Sequence, residues 1–267
     1  MSDQINYIAI NKQSWNERVA SHLSSEFYDV AGFLQGKTSL KEIELALLGD
    51  LKGKTVLHLQ CHFGQDSISL ARMGAKVTGV DLSDEAIERA RELAAQTGED
   101  ATFVCCALYD LPQHLDTQFD IVFTSYGTIG WLPDLDRWAN IVAQYLKPGG
   151  QFVFAEFHPV VWMFDDQFTK VGYDYFNSGP ILETQEGTYA DREADINLSY
   201  VNWNHGIAEV LTSLIGNKLS IDCFNEYDYA PYNCFFNTVE FEPGKFRIAH
   251  LEHKIPMVYA LKATKPL

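Results

Sequence analysis

The segment 54–83, KTVLHLQCHFGQDSISLARMGAKVTGVDLS, constrains the fold more than any other part of the chain. Its apolar run at Thr55–Leu59 reads as a strand that breaks at Gln60-Cys61-His62-Phe63-Gly64. A helical pattern follows over 65–73, and after Gly74 a second strand over 76–80 delivers Asp81. A tight turn that opens a helix offers backbone N–H groups to the anionic part of a ligand. An acid about 20 residues further on, at a strand tip, accepts hydrogen bonds from ribose hydroxyls. The unit therefore predicts a nucleoside-cofactor site on an α/β fold. A dinucleotide fingerprint is excluded, because the first two glycine positions of GxGxxG carry Gln60 and His62 and only Gly64 remains.

At 267 residues the chain is long enough for one domain with an insertion, or one and a half domains. A net charge of −16 with no basic cluster argues against a nucleic-acid partner and favours a small neutral or cationic one. No apolar run reaches the length of a membrane span and no basic-then-apolar leader is visible, so a cytoplasmic protein without a membrane partner is expected. The five cysteines are odd in number and form no CxxC pair with histidine partners, which predicts reduced thiols and no metal site. The oligomeric state stays open between monomer and homodimer.

Residues 1–50 read as two helices, over 11–23 with Trp15, Val19 and Leu23 on its apolar stripe, and over 39–48. The aromatic loop between them is either packing or a lid. Phe27 falls to core, and Trp15 and Tyr28 to either role. From 51 to 267 strand and helix alternate, with further strands over 102–106, 119–124 and 151–156 and helices over 84–96 and 135–146. The alternation breaks at about 160–203, a long, aromatic, acidic insertion with short alternating runs at 187–190 and 196–201. That insertion is a functional cap, a small added antiparallel sheet, or a dimer contact. A helix over 205–214, a strand over 219–224, an aromatic loop over 226–236 and a last strand over 254–262 complete the pattern.

The span VLHLQCHFG resembles the first motif of class I S-adenosylmethionine-dependent methyltransferases of small-molecule type, with Cys61 and Gly64 kept. CALYDLP, FDIVFTSYGTIGWL and LKPGGQFVF resemble the third, fourth and fifth motifs, in order. The resemblance implies a Rossmann-like, mostly parallel seven-stranded sheet with helices on both faces and an antiparallel last strand. It implies transfer of a methyl group from S-adenosyl-L-methionine to an unidentified small-molecule acceptor. The donor contacts it implies are Gln60, Cys61, His62, Gly64, Asp81, Leu82, Ala107, Leu108, Ser125 and Tyr126. A non-catalytic binder of the same donor is the alternative, followed by a dinucleotide-dependent oxidoreductase.

Three positions depart from the family's pattern. His58 stands for an acid that orders the loop, and does so through its imidazole or is simply a satisfied buried histidine. Gln60 stands for glycine, which predicts ordinary backbone dihedrals there and an amide reaching the methionine carboxylate. Ala107 stands for the acid that pairs with the adenine amine. For the acceptor, strand tips nominate Trp131 and His158, the latter as a general base or a turn histidine before Pro159. Trp203 and His205 resemble positions that close the acceptor pocket, and Trp15 and Tyr28 would do so from the lid. His205 fits a helix-start contact better than catalysis.

Overall fold

The computed structural model describes residues 5–267. Strands β1 (Thr55–Leu59), β2 (Lys76–Asp81), β3 (Ala101–Cys105), β4 (Phe119–Ser125) and β5 (Leu146–Phe157) run parallel in the order β3-β2-β1-β4-β5. A hairpin of β6 (Ile181–Glu186) and β7 (Asn197–Asn202) stands apart from this sheet. β8 (Ser220–Tyr227) forms the far edge, and β9 (Thr238–Glu242) pairs with β10 (Lys245–Ile248) in a second small hairpin. β11 (Val258–Thr264) inserts between β5 and β8, antiparallel to both. A seven-stranded Rossmann-like sheet with an antiparallel last strand results, as the family resemblance implies. β11 reverses direction because the chain returns from β8 through loops and a hairpin instead of a helical crossover.

Among the described residues, seven α-helices flank the strands. α1 (Tyr7–Ser24), α2 (Val30–Leu34) and α3 (Glu42–Leu48) precede the sheet, and α4 (Gln65–Arg72), α5 (Asp84–Thr97), α6 (Leu135–Tyr145) and α7 (Ile207–Gly216) follow strands or the insertion. α6 and α7 cover one face, where Trp138, Tyr145, Leu214 and Tyr259 form a continuous core with Phe152 and Phe154. α3 and α4 cover the other face with Leu47, Leu70 and the segment leading to β11. α5 starts at Ser83, whose hydroxyl accepts from the Ala86 N–H, and stops at the left-handed Gly98.

Three local expectations change. The insertion's first strand lies at Ile181–Glu186, and 187–190 is a turn opened by Gly187 at φ 66°. β9 and β10 occupy a stretch where no strands are expected, although Val239-Glu240-Phe241-Glu242 does alternate apolar and polar residues. α1 buries Asn11, Ser14, Arg18 and His22 with Val19, so polar residues share the inward side on which Trp15, Val19 and Leu23 were expected. The Asn11 amide explains part of this: it donates to Val201 O and accepts from Val201 N, both at 2.8 Å, as a neighbouring strand would. That pairing fastens α1 to β7 of the insertion.

Phe103 of β3 supports the turn after β1. Its ring occupies the space a Cβ would need at both Gly64 and Gly79, 2.7 Å from the ideal positions. Gly64 also sits at φ 79°. Gly64→Ala is therefore expected to lose about 2–4 kcal/mol of unfolding free energy in urea titration, the sum of left-handed strain and overpacking.

Candidate cofactor and acceptor site

The turn after β1 is built from left-handed residues. Gln60 has φ 55° and His62 φ 50°, so glycine's conformation is kept without glycine, contrary to the expectation of ordinary dihedrals. Each such residue costs on the order of 1–3 kcal/mol, and the surroundings must impose it. They do so by hydrogen bonds: Cys61 N to Val80 O at 2.9 Å, His62 N to Asp81 Oδ2 at 2.8 Å, and Gln60 Nε2 to Thr128 O at 2.8 Å. Because a carbonyl only accepts, the last bond fixes the amide's orientation and leaves the buried Gln60 Oε1 without a partner among the described residues. The free oxygen of that amide is an acceptor, and the second N–H of its nitrogen remains a donor. His58 ties the turn's base to α4 through Nδ1 and Ser67 Oγ at 2.8 Å, and burial pulls its pKa down to about 4, leaving it neutral.

Asp81 stands at the tip of β2. Its carboxylate accepts from His62 N and from Ser83 N at 2.9 Å, which leaves half of its lone-pair directions open. Burial raises its pKa while those two donors oppose the rise. Leu82, Ala107 and Leu108 line the adjacent wall, and Ala107 begins a short 3-10 turn over Leu108–Gln113. Past β4, Ser125 donates to Asp66 Oδ2 at 3.2 Å, and Tyr126, at φ 46°, donates its hydroxyl to Glu44 Oε2 at 2.7 Å. Glu44 is fully buried on α3, and burial followed by the Asp66 charge raises its pKa from 4.5 to about 7.

Glu156 at the end of β5 organises the turn after β4. Its carboxylate accepts from the backbone N–H of Gly127, Thr128 and Ile129, from Thr128 Oγ1 and from Phe157 N. Sequence reading passed over it as an ordinary strand residue. Its signal was an acid at a strand tip, the same signal that singled out Asp81.

These residues surround a cavity of about 740 Å³. All ten residues nominated for the donor line it, and so do Trp15, Tyr28, Trp131, Trp203 and His205. Trp15 meets His62 and Trp131 edge-on, each with ring centroids 5.2 Å apart. Tyr28 and Tyr189 of the insertion share a hydroxyl–hydroxyl hydrogen bond. Trp131 Nε1 donates to Gly127 O at 2.7 Å, and Trp203 packs edge-on against Tyr7. His205 Nε2 donates to Leu132 O at 2.8 Å, joining the turn after β4 to the start of α7. Its Nδ1 lies 3.1 Å from Glu209 Oε1.

His158 is the exception, for it does not line the cavity. Its Nδ1 accepts from Val160 N and its Nε2 contacts Glu226 Oε1 of β8 at 2.9 Å. Burial lowers its pKa and Glu226 pulls the other way. The turn reading fits this placement, because the ring spans β11 toward the sheet's far edge instead of facing Tyr126. Residues that sequence reading missed include His22, whose Nδ1 lies 2.8 Å from His62 Nε2, and Arg18. Burial and then the Arg18 charge depress His22 to about 3, and burial holds His62 well below its ordinary value, so both rings are neutral. No group of metal-ligating side chains occurs among the described residues, and no helix there is long and apolar enough to cross a membrane.

Residues 56–150 match the family model for a methyltransferase domain. The sheet order and the turn after β1 agree with the methyltransferase domain to which this stretch is similar. Among curated proteins the chain is similar to a ubiquinone biosynthesis O-methyltransferase of Idiomarina loihiensis, 31% identical over 139 residues. That match covers 51% of this chain and 57% of the relative, so the chain spans little more than half the length of such relatives. An uncharacterized methyltransferase of Synechocystis is 35% identical over 131 residues, covering 48% of this chain and 59% of that protein. Among solved structures, a geranyl diphosphate C-methyltransferase from Streptomyces coelicolor shares the fold with a TM-score of 0.62 at 14% identity, covering 99% of this chain and 100% of that one. An S-adenosylmethionine dependent methyltransferase from Mesorhizobium loti does so with a TM-score of 0.58 at 22% identity, covering 86% and 99%.

Two outcomes follow from the buried acids. Glu156→Gln turns an amide N–H₂ toward backbone donors, and the expected loss is about 2–4 kcal/mol in chemical unfolding. Faster hydrogen exchange at Gly127, Thr128 and Ile129 should accompany it. Glu44 holds its proton more tightly folded than unfolded, so wild-type stability falls as pH rises from 4.5 toward about 7. Relative to Glu44→Gln the fall should reach roughly 3 kcal/mol over that window in urea titrations.

Proposed function

We propose that this chain binds S-adenosylmethionine in the cavity and transfers its methyl group to a small-molecule acceptor, acting in the cytosol. The observation that carries this reading is Asp81, presented at the strand tip beside a left-handed turn with open acceptor directions. When bound, the donor supplies an electrophilic methyl group on a sulfonium. Asp81 would take the ribose hydroxyls, and Leu82 and Leu108 would flank the adenine. Ala107 brings no acid to the adenine amine, so apolar packing and backbone groups carry that end. Gln60 Oε1, buried and unpartnered among the described residues, would accept from the donor's α-ammonium. Such an acceptor without a donor is the kind of vacancy this ligand fits.

Methyl transfer is an in-line displacement, so holding the acceptor in line and excluding water supply much of the rate. Trp15, Tyr28, Trp131 and Trp203, together with the insertion, would close the space around it. Tyr126 and Glu44 are the pair we assign to receive an acceptor proton: the Tyr126 oxygen would take it as its own hydroxyl proton passes to the ionised Glu44 carboxylate, whereas His158 contacts Glu226. The five free cysteines suit a reducing compartment.

Calorimetry with S-adenosylmethionine and S-adenosylhomocysteine tests the reading. A micromolar dissociation constant, about 8 kcal/mol, is expected for wild type, and Asp81→Ala should weaken it at least about tenfold. Absence of binding to the wild-type protein would overturn the proposal. Binding without release of S-adenosylhomocysteine across a broad acceptor panel would leave a non-catalytic binder instead.

A further inference from the structure

Arg18 is a buried cation in the cavity wall without a counter-charge. It is 3% exposed, yet no carboxylate of the described residues lies within ion-pair distance, and its one hydrogen bond runs from Nη1 to Ser14 Oγ on the same helix. This is the reverse of what composition leads one to expect, since the chain has 36 acidic residues to 20 basic ones. The imidazoles of His22 and His62 cannot compensate it, since a histidine is neutral or cationic, and the Arg18 charge adds to the burial that lowers the pKa of both. Burial accordingly lowers the pKa of the guanidinium itself.

Aromatic faces keep the charge in place. The guanidinium carbon lies 5.2 Å from the Trp15 ring centroid, 5.8 Å from Trp131 and 5.5 Å from Tyr200 of β7. Such contacts offset part of the desolvation of a cation, but they leave its N–H donors unused apart from the one on Ser14 Oγ. Those donors belong to a planar fork suited to a carboxylate or phosphate. The rings come from α1, from the turn after β4 and from the insertion, so the fork sits where three segments of the wall meet.

We infer that Arg18 is an oxyanion-binding site of this cavity and that the group it takes is a carboxylate or phosphate carried by the acceptor. This rests on the reading of the cavity as a methyl-transfer site, and it replaces the neutral or cationic acceptor that net charge suggested. The donor's own α-carboxylate has the same chemistry, and the test separates the two.

The full chain is first titrated with S-adenosylhomocysteine, and failure there overturns the methyl-transfer reading and not the role of Arg18 alone. The saturated protein is then titrated with benzoate and with its neutral isostere benzamide. Wild type should bind benzoate about tenfold more tightly, as a charge-assisted bidentate pair requires. Arg18→Met should abolish that preference while S-adenosylhomocysteine affinity holds, and Arg18→Lys should retain part of it. Should Arg18→Met fail to fold, phenylglyoxal modification of Arg18 in wild type, read by mass spectrometry, should be slowed by benzoate and not by benzamide. Equal binding of the two probes, or a preference that survives Arg18→Met, overturns the inference. So does a loss of S-adenosylhomocysteine affinity in Arg18→Met with 5′-methylthioadenosine affinity unchanged, which would assign the site to the donor's carboxylate.

Discussion

The bond between Asp81 and the backbone of His62 is the contact on which the site depends. It joins the tip of β2 to the turn after β1, where two residues other than glycine hold left-handed dihedrals. Without an acceptor there, the His62 N–H would lie unpaired in a wall otherwise made of rings, and the turn would have no reason to keep its strain. Cys61 N on Val80 O and Gln60 Nε2 on Thr128 O complete the hold from β2 and from the turn after β4. Because Phe103 packs beneath Gly64, the same turn is tied to β3 as well. A local conformation is thus imposed by three neighbouring strands.

A second carboxylate repeats this logic on the other side of the sheet's centre. Glu156 gathers the N–H groups of Gly127, Thr128 and Ile129 as Asp81 gathers those of His62 and Ser83. Each buried acid is stabilised by backbone donors instead of a cation, so neither needs a salt bridge to remain in the wall. The cation of the site stands apart from both. Arg18 is held by rings on α1, the turn after β4 and the insertion, and makes no ion pair with either acid.

α1 and the insertion close the cavity by an unusual division of labour. α1 turns a polar stripe inward, and Asn11 imitates a strand edge against Val201, so the helix and the β6–β7 hairpin are fastened by backbone-like hydrogen bonds. Rings from both sides fill the space between them. A wall assembled this way presents polar groups to the interior, and several of them, Gln60 Oε1 and His22 Nε2 included, have no partner among the described residues.

The order of strands and helices from Thr55 to Phe157, the position of the turn and the choice of Asp81 were legible in the sequence, because periodicity and turn residues are local signals. The family resemblance carried the rest of the donor wall, and the ten residues it named do share one cavity. What the sequence could not convey was direction. Whether His158 turned to the cavity or to Glu226, whether Asn11, Arg18 and His22 of α1 joined Trp15 on the inward side, and whether Gln60 relaxed or accepted left-handed strain all depended on partners distant in the chain. Val201, Thr128 and Glu226 made those choices, and each is brought near only by the sheet and its insertion. The chemistry of the residues is written in the chain; which way each one points is decided by long-range hydrogen bonds that exist only once the sheet has formed.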